Sequence, residues 1–294
     1  MPELPDVTVY VERLNALVKG TSLAGIRISS PFLLRSVAPT PSDIENRTVN
    51  AVSRLGKRIV FELDDQYCVI IHLMIAGRLR WRPPAAAIPK RVGLAAFDFP
   101  HGSLLFTEAG STKRASLHIA RRVDLPEHDR GGLEILSCSL QDFSKALVTE
   151  NRTLKRTLTN PRTFSGIGNA YSDEILHRAR LSPLQLTRNL TSDEISRLHE
   201  ATVETMSTWI DRLRRETSDG FPEKVTAFRS EMAVHGKYNQ PCPVCGARVQ
   251  RIVYARHEVN YCARCQTGGR LLADRAFSKI LKDDWPRTLD EWED

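Results

Sequence analysis

Four cysteines late in the chain are arranged as two close pairs, Cys242 with Cys245 and Cys262 with Cys265. Sixteen residues separate the pairs, and this C-x2-C…C-x2-C spacing is typical of a zinc site in which two tight turns present four thiolates to one ion. The intervening residues are numerous enough to run out and back as a β-hairpin. Because four thiolates fill a tetrahedral coordination shell, we expect one structural Zn²⁺ rather than a catalytic metal. A redox-active pair is the alternative that the spacing leaves.

The charge of the chain favours a polyanionic partner. Its 294 residues include 42 Lys and Arg against 35 Asp and Glu, which gives a formal net charge of +7. Such an excess is typical of proteins that bind nucleic acid. Residues 223–270, which contain the paired cysteines, carry eight basic and three acidic side chains. An ordinary solvated basic surface is the alternative to a DNA-binding surface there.

Composition and length indicate a folded chain with more than one body. Hydrophobic residues make up 41% and charged residues 26%, which disfavours collagen, a coiled coil and wholesale disorder. A single core rarely extends beyond ~250–300 residues, so we expect two bodies and a small appendage. The sequence has no apolar run of the ~20 residues that a membrane-spanning helix needs, and its first residues do not resemble a secretory signal. We therefore expect a cytoplasmic protein without a membrane anchor.

The apolar periodicity changes along the chain and predicts an α+β fold. Val7, Val11, Leu14 and Val18 recur at helical steps and predict a helix from Pro5 to about Lys19. Up to about residue 124, short β-branched stretches alternate with turn residues, which indicates a β-sandwich behind this leading helix. The predicted strands are Ile26–Ile28, Arg58–Leu63, Cys68–Leu73, Leu94–Phe99, Leu104–Phe106 and Ser116–Val123.

Helical periodicity returns after residue 131 and predicts helices over Asp142–Thr159, Ala170–Arg180 and Ser192–Glu216. The sequence thus divides into four predicted parts, one of which has no assigned role. These are a helix-plus-sandwich domain over 1–130, a helical domain over 131–222, a zinc finger over 223–269 and a C-terminal tail over 270–294.

The amino-terminal residues Met1-Pro2-Glu3 allow two interpretations. If Met1 is removed, as a small second residue permits, the secondary amine of Pro2 begins the chain. An α-amino group has a pKa near ~7.7–8.0, so part of it is neutral and nucleophilic near pH 7. Glu3 and Asp6 place carboxyl groups beside that amine for proton transfer. The alternative is an ordinary helix start, because proline and acidic residues suit the first turn.

Five motifs stand in a fixed order along the chain: Met1-Pro2-Glu3-Leu4-Pro5-Asp6, Leu55-Gly56-Lys57-Arg58, Ile71-His72-Leu73, Ser165-Gly166-Ile167-Gly168-Asn169-Ala170-Tyr171 and the four-cysteine finger. In these motifs the chain resembles the formamidopyrimidine-DNA glycosylase and endonuclease VIII family over about residues 1–268. The resemblance implies a β-sandwich, a helix-two-turn-helix domain and a zinc-finger β-hairpin. It also implies a monomeric repair enzyme that binds damaged duplex DNA, removes an oxidised or ring-opened base and cleaves the strand by β/δ-elimination.

The resemblance assigns catalytic roles to residues of the N-terminal domain and to one residue of the helical domain. Pro2 is implied to attack C1′ of the damaged nucleotide and to form a Schiff base, while Glu3 and Asp6 transfer protons. Lys57 is implied to hold a phosphate near the lesion, and Glu174 matches a family carboxylate near the sugar.

Further residues are implied to contact DNA. Asn169 opens a predicted helix where backbone N–H groups favour a phosphate, Lys155 matches a family lysine near the lesion pocket, and His72 is a candidate phosphate contact. The hairpin arginine of the family aligns without gaps to His257, but the adjacent Arg256 is our choice for the minor-groove contact.

The sequence departs from the family pattern where the orphaned base is contacted. Met74 or Ile75 is the candidate to fill the void left by the extruded base, and the alternative is that both residues belong to the core. The segment Thr107–Arg114 lacks the family's aromatic wedge, so we expect Lys113 and Arg114 to contact DNA without base selectivity. The stretch between Thr217 and Phe228 is shorter than the loop that closes over oxidised guanine in purine-specific relatives. This disfavours 8-oxoguanine as the base that the enzyme removes.

Two other functions remain as alternatives. One is a protein of the same fold that binds damaged or abasic DNA with weak or lost base removal. The other is a zinc-ribbon module that binds protein partners, which the basic finger disfavours. Trapping of a covalent DNA adduct distinguishes the enzyme from both.

Overall fold

The computed structural model describes residues 1–254, 257–273, 287–289 and 291. Its contacts divide the chain into two units, each made of two segments. Unit 1 comprises Met1–Arg130 and Trp209–Thr226, and unit 2 comprises Gly131–Thr208 and Ala227–Asp294. The predicted α+β class is confirmed, with a leading helix and antiparallel sheets, a helical region and a four-cysteine hairpin. The finer division into four parts stays a prediction.

Unit 1 begins with helix α1, Leu4–Val18, close to the predicted bounds. Two antiparallel sheets follow, with strand orders β1-β3-β4-β5-β9 and β2-β7-β8-β6. The rings of Phe61 and Phe97, one from each sheet, stack with centroids 6.0 Å apart, so the sheets face each other as a sandwich. The strands are β1 Ser22–Leu23, β2 Gly25–Ile28, β3 Arg47–Leu55, β4 Arg58–Leu63, β5 Tyr67–His72, β6 Gly77–Arg82, β7 Gly93–Phe99, β8 Gly102–Glu108 and β9 Ser116–Arg121.

Helix α1 is joined to the sandwich by apolar packing and by polar contacts, among them that of Asn15. Val7, Leu14 and Val18 are fully buried in the core that the two sheets share. The side chain of Asn15 accepts a hydrogen bond from the backbone N–H of Val52 at 2.8 Å. This contact satisfies a peptide group of β3 and fixes the rotation of the helix about its axis.

Unit 2 contains five α-helices among its described residues, counting the long helix α5 that begins in it. The prediction of one helix over Asp142–Thr159 was wrong, because residues 149–153 interrupt it and Thr153 caps a new helix. A two-stranded hairpin joins the two cysteine pairs, as predicted. The elements are α2 Leu140–Val148, α3 Leu154–Thr159, α4 Asn169–Arg178, α5 Ser192–Thr217, β10 Val249–Tyr254, β11 His257–Cys262 and α6 Ala263–Thr267.

Residues of the tail complete the core of the hairpin. Leu271 and Leu289 are buried in the same apolar cluster as Cys242 and Cys262. The backbone N–H of Leu289 donates to the carbonyl of Gly269 at 3.0 Å. Part of the tail is therefore a structural element of the finger, which its sequence did not indicate.

Within the described residues, no helix combines the length and the apolar character that crossing a bilayer requires.

Replacing Leu14 with Ala tests whether α1 is held by the sandwich core. Because Leu14 is fully buried, we expect a loss of about 2–5 kcal/mol in the free energy of unfolding, measured by urea denaturation. Ala16→Ser, at an exposed position of the same helix, is the control and changes stability by about 0.5 kcal/mol or less. Equal denaturation midpoints for both variants contradict the packing described.

Candidate functional site

The amino-terminal residues form a buried acidic cluster at the start of α1. Pro2 is buried, and Glu3 and Asp6 are 2% and 3% exposed. The backbone N–H of Glu3 donates to Asp6 Oδ2 at 3.0 Å, which forms half of a reciprocal capping box between the two residues. Both carboxyl groups therefore serve the helix start, and their burial beside the chain terminus also suits them to proton transfer.

Burial and charge tune the amino group at the chain terminus. Burial lowers the pKa of the Met1 amine, Arg78 and Lys57 lower it further, and Glu3 and Asp6 oppose the decrease. The net effect increases the neutral fraction of an amine at this place, and the neutral form is the nucleophile. Arg78, which the sequence did not single out, is held by hydrogen bonds from its guanidinium to carbonyls that include Val225 O at 2.7 Å.

The structure places the other unit 1 candidates in two turns and one strand end. Lys57 lies half-buried in the β3–β4 turn, and His72 ends β5 opposite Arg58. Met74 is half-buried with a left-handed backbone, φ 52°, whereas Ile75 beside it is 57% exposed. An exposed apolar side chain at a turn tip is better placed than a half-buried one to enter a base stack.

The loop between β8 and β9 is organised by Glu108. Its carboxylate is buried and accepts hydrogen bonds from the backbone N–H groups of Arg114 at 2.9 Å and Ala115 at 3.1 Å. The ammonium of Lys113 donates to the carbonyl of Glu108, while Arg114 is exposed. Of the two predicted DNA contacts in this loop, Arg114 is the one whose side chain faces solvent. An acid at the end of an apolar strand was the overlooked signal.

The unit 2 candidates cluster around helix α4. Lys155 is 7% exposed, and its ammonium donates to Asp173 Oδ1 at 2.5 Å and to the carbonyl of Asn169 at 2.7 Å. The other carboxylate oxygen of Asp173 lies 2.8 Å from His235 Nδ1. Lys155 thus neutralises a buried carboxylate, which argues for a positioning role rather than the predicted contact with DNA.

Asn169 also makes a protein contact. Its side-chain amide donates to the carbonyl of Glu258 in β11 at 2.9 Å. The residue remains half-buried at the first turn of α4, and the N-terminal end of a helix favours an anion. His257 begins β11, and Arg256 lies outside the described residues, so both predicted hairpin contacts stay predictions.

Glu174 anchors the segment that follows α5. Its carboxylate accepts hydrogen bonds from three successive backbone N–H groups, those of Ala233, Val234 and His235, at 2.8, 3.0 and 2.9 Å. Burial raises the pKa of Glu174 against the opposing effect of these hydrogen bonds. Because the carboxylate is occupied in this way, the arrangement favours positioning of the segment over the direct catalytic role that the sequence predicted.

The four paired cysteines form one cluster. Their sulfur atoms all lie within 4.8 Å of one another, which fits a tetrahedral ion with Zn–S distances of about 2.3 Å. His177 of α4 is buried, and its Nε2 lies 3.2 Å from Cys242 Sγ. An imidazole N–H at that place stabilises a thiolate ligand. His177 gives no signal in the sequence because it is 65 residues from Cys242.

Together these features define a class of proteins with an N-terminal sandwich, a helical domain and a C-terminal zinc finger. Three parts of the chain match sequence profiles of the corresponding domains of one family. Residues 1–122 match the formamidopyrimidine-DNA glycosylase N-terminal domain and residues 135–219 match its H2TH domain. Residues 239–268 match the zinc finger found in FPG and IleRS. The chain belongs to the formamidopyrimidine-DNA glycosylase and endonuclease VIII family.

Individual relatives support this membership. The formamidopyrimidine-DNA glycosylase of Thermus thermophilus is 32% identical over 279 residues, covering 92% of this chain and 100% of the relative. An uncharacterized formamidopyrimidine-DNA glycosylase-like protein of Mycobacterium tuberculosis is 38% identical over 151 residues, which is 51% of this chain and 94% of that one.

A solved structure shares the fold. Lactococcus lactis Fpg, in a complex with DNA that contains an abasic site, superposes with a TM-score of 0.80 at 24% identity. The match covers 90% of this chain and 99% of that one.

Glu174→Gln tests the anchor of residues 233–235. A glutamine amide keeps one acceptor oxygen and turns N–H groups toward buried donors, so we expect a loss of about 1–3 kcal/mol in the free energy of unfolding, measured by chemical denaturation. Glu204→Gln, which alters an exposed ion pair with Arg178, is the control and costs about 0–1 kcal/mol. Equal stability of the two variants contradicts the anchoring role.

Proposed function

We propose that this protein is a bifunctional base-excision repair enzyme, a DNA glycosylase with AP lyase activity that acts on oxidised or ring-opened bases. The glycosylase function follows from its family. The observation that carries the catalytic assignment is the burial of Glu3 and Asp6 directly beside Pro2 at the start of α1. Burial lowers the pKa of the Met1 amine at the same place. The AP lyase activity and the roles of individual residues are parts of the proposal.

The proposed reaction begins when the amine of Pro2, freed by removal of Met1, attacks C1′ of an extruded nucleotide. The N–C1′ bond forms as the glycosidic bond breaks, and the base departs with a proton. Opening of the sugar ring leaves a Schiff base between Pro2 and C1′. Glu3, buried beside Pro2, donates and accepts the protons of these steps. Asp6 positions Glu3 through its hydrogen bond to the Glu3 backbone.

Strand cleavage follows from the same intermediate. Loss of a proton from C2′ expels the 3′ phosphate, and a second elimination expels the 5′ phosphate, so both ends of the gap carry phosphates. Lys57 and His72 bind backbone phosphates in unit 1, and Asn169 binds one in unit 2. Ile75, exposed at the β5–β6 turn, fills the void that the extruded base leaves. Arg114 contacts the opposite strand, and Arg256 or His257 the minor groove.

Substrate choice is proposed from the family and from the loops. The Lactococcus lactis protein has been solved with DNA that contains an abasic site and with DNA that contains N7-benzyl-Fapy-dG. The segment 109–115 of the present chain has no aromatic residue, so we propose weak selectivity for the base opposite the lesion. The alternative of a damage-binding protein without base removal is not favoured by relatives named as glycosylases.

Covalent trapping tests the proposed nucleophile. With an abasic duplex and borohydride, we expect an adduct whose attached sugar maps to Pro2 by mass spectrometry. A Gly-Ser extension before Pro2 converts the amine to an amide and abolishes the adduct. Glu3→Gln slows base removal by about 10²–10⁴-fold, whereas Glu45→Gln, an exposed site in the same unit, leaves the rate unchanged.

An adduct on another side chain, or undiminished strand cleavage by the extended chain, refutes Pro2 as the nucleophile. DNA binding without any adduct favours the damage-binding alternative.

We further propose that the ion held by Cys242, Cys245, Cys262 and Cys265 is zinc, with a purely structural role. Elemental analysis of the purified protein is expected to give one zinc per chain, and Cys262→Ser to lose it, because three thiolates bind zinc less tightly than four. Cys138→Ser, outside the cluster, is the matched control and retains the metal. Full zinc content in Cys262→Ser contradicts the assignment.

A further inference from the structure

Three imidazoles of unit 1 gather on the face of the five-stranded sheet that lies away from the main core. His118 in β9 pairs with Ile70 of β5, and Ile70 belongs to a small cluster separate from that core. His72, two residues beyond Ile70, is on the same face because side chains alternate along a strand. Arg58 of β4 is the cross-strand partner of His72.

The third imidazole comes from the short 3-10 helix Arg122–His128. The ring of His128 meets the ring of His118 edge-on, with centroids 4.9 Å apart. The guanidinium of Arg58 donates to the carbonyl of His128 at 2.8 Å. Two strands and the 3-10 helix are thus held together around the two histidine rings, and each ring remains partly exposed.

Positive charge dominates the surroundings of these rings. Arg58 and Arg35 act on His118, and Lys57, Arg58 and Arg130 act on His72. The acidic groups that face the cluster are Asp124 and Glu127 beside His128 and Asp129 beside Arg58.

The pKa values respond to this environment. Burial, followed by the nearby positive charges, lowers the pKa of His72 to about 4 and lowers those of His118 and His128 below their usual value. All three rings are therefore neutral near pH 7. An anion that binds among them would raise their pKa values and cause proton uptake.

A packing role alone does not account for this arrangement. These imidazoles are partly exposed and surrounded by guanidinium and ammonium groups, so they stabilise one another little. A bound anion would accept hydrogen bonds from all of these groups and balance their positive charge. Lys57, in the proposed active site, also acts electrostatically on His72, so the cluster is continuous with the place where a DNA strand is proposed to bind.

We propose that His118 and His128, organised by Arg58, form a further binding site for a backbone phosphate of DNA, adjacent to the phosphate contacts of Lys57 and His72. The inference rests on the proposed function, since it takes DNA as the substrate. Binding at this site takes up protons, and by linkage a proton taken up on binding makes the dissociation constant fall as pH falls.

Affinity for a duplex that contains a tetrahydrofuran abasic analogue tests the site. Fluorescence anisotropy at pH 7.5 and pH 5.5, at constant ionic strength, is expected to show an affinity gain of about 3- to 10-fold for the native chain at the lower pH. His118→Gln and His128→Gln lose most of that gain. His101→Gln, in the β7–β8 turn and outside the cluster, is the control and keeps it.

Nuclear magnetic resonance of the native chain gives a second readout, which does not depend on whether the variants fold. In the native chain, the imidazole C–H signals of His118 and His128 are expected to titrate at higher pH with DNA bound than without it. Unchanged titration, or an undiminished pH effect in folded His118→Gln and His128→Gln, overturns the phosphate site while leaving the proposed function intact. Absence of any binding to the abasic duplex overturns both.

Discussion

The burial of one face of helix α1 fixes the place of the chemistry in unit 1. Leu4, Val7 and Leu14 are completely enclosed, so the helix has one stable rotation and depth against the sheets. The residues immediately before it are consequently held in place although they are chain-terminal, a position that is usually frayed. Glu3 and Asp6 can be buried there because their carboxylates meet the unsatisfied N–H groups of the first helical turn. The helix dipole thus offsets part of the cost of enclosing two acids beside an amine.

Helix α4 has the corresponding role in unit 2, where polar contacts add to the burial of Ile175 and Leu176. Along three turns it contacts β11 through Asn169, a buried lysine and histidine through Asp173, residues 233–235 through Glu174 and a cysteine of the metal cluster through His177. The partners of these four side chains lie on several different segments. Such a network specifies one arrangement of those segments, because any displacement leaves a buried charge or donor unsatisfied.

Much of this architecture could be predicted from local sequence patterns. The period of α1, the β-branched strands and the spacing of the cysteines are each encoded within about twenty residues, and the structure has them close to the predicted bounds. Strands β3 and β6 were missed, as was the two-residue strand β1. In β6, Arg78, Arg80 and Arg82 alternate with Leu79 and Trp81, and the alternation was the available signal. In β3, a bulge between Val49 and Ala51 breaks the alternation itself.

The site was only partly predictable for a different reason. Pro2, Glu3 and the cysteines are recognisable because their chemistry depends on close neighbours in sequence. The partners of Lys155 and Glu174 lie 18 and about 60 residues away, so their engagement in protein contacts is invisible to any local pattern. Asp173 and His177 were overlooked for the same reason, since an isolated acid or imidazole carries no signal until folding brings its partner to it.

Leu271 and Leu289, in the tail that follows the finger, stabilise the finger by apolar packing. This stabilisation is separate from the binding of a metal ion by the cysteines. The two leucines enclose Tyr261, whose hydroxyl accepts the backbone N–H of Leu272 at 2.8 Å. Many small zinc modules unfold entirely when the ion is removed, because no other interaction offsets the conformational entropy of the chain. This finger has an apolar core of its own. Removal of the ion should therefore leave a loosened but compact hairpin that can bind the ion again.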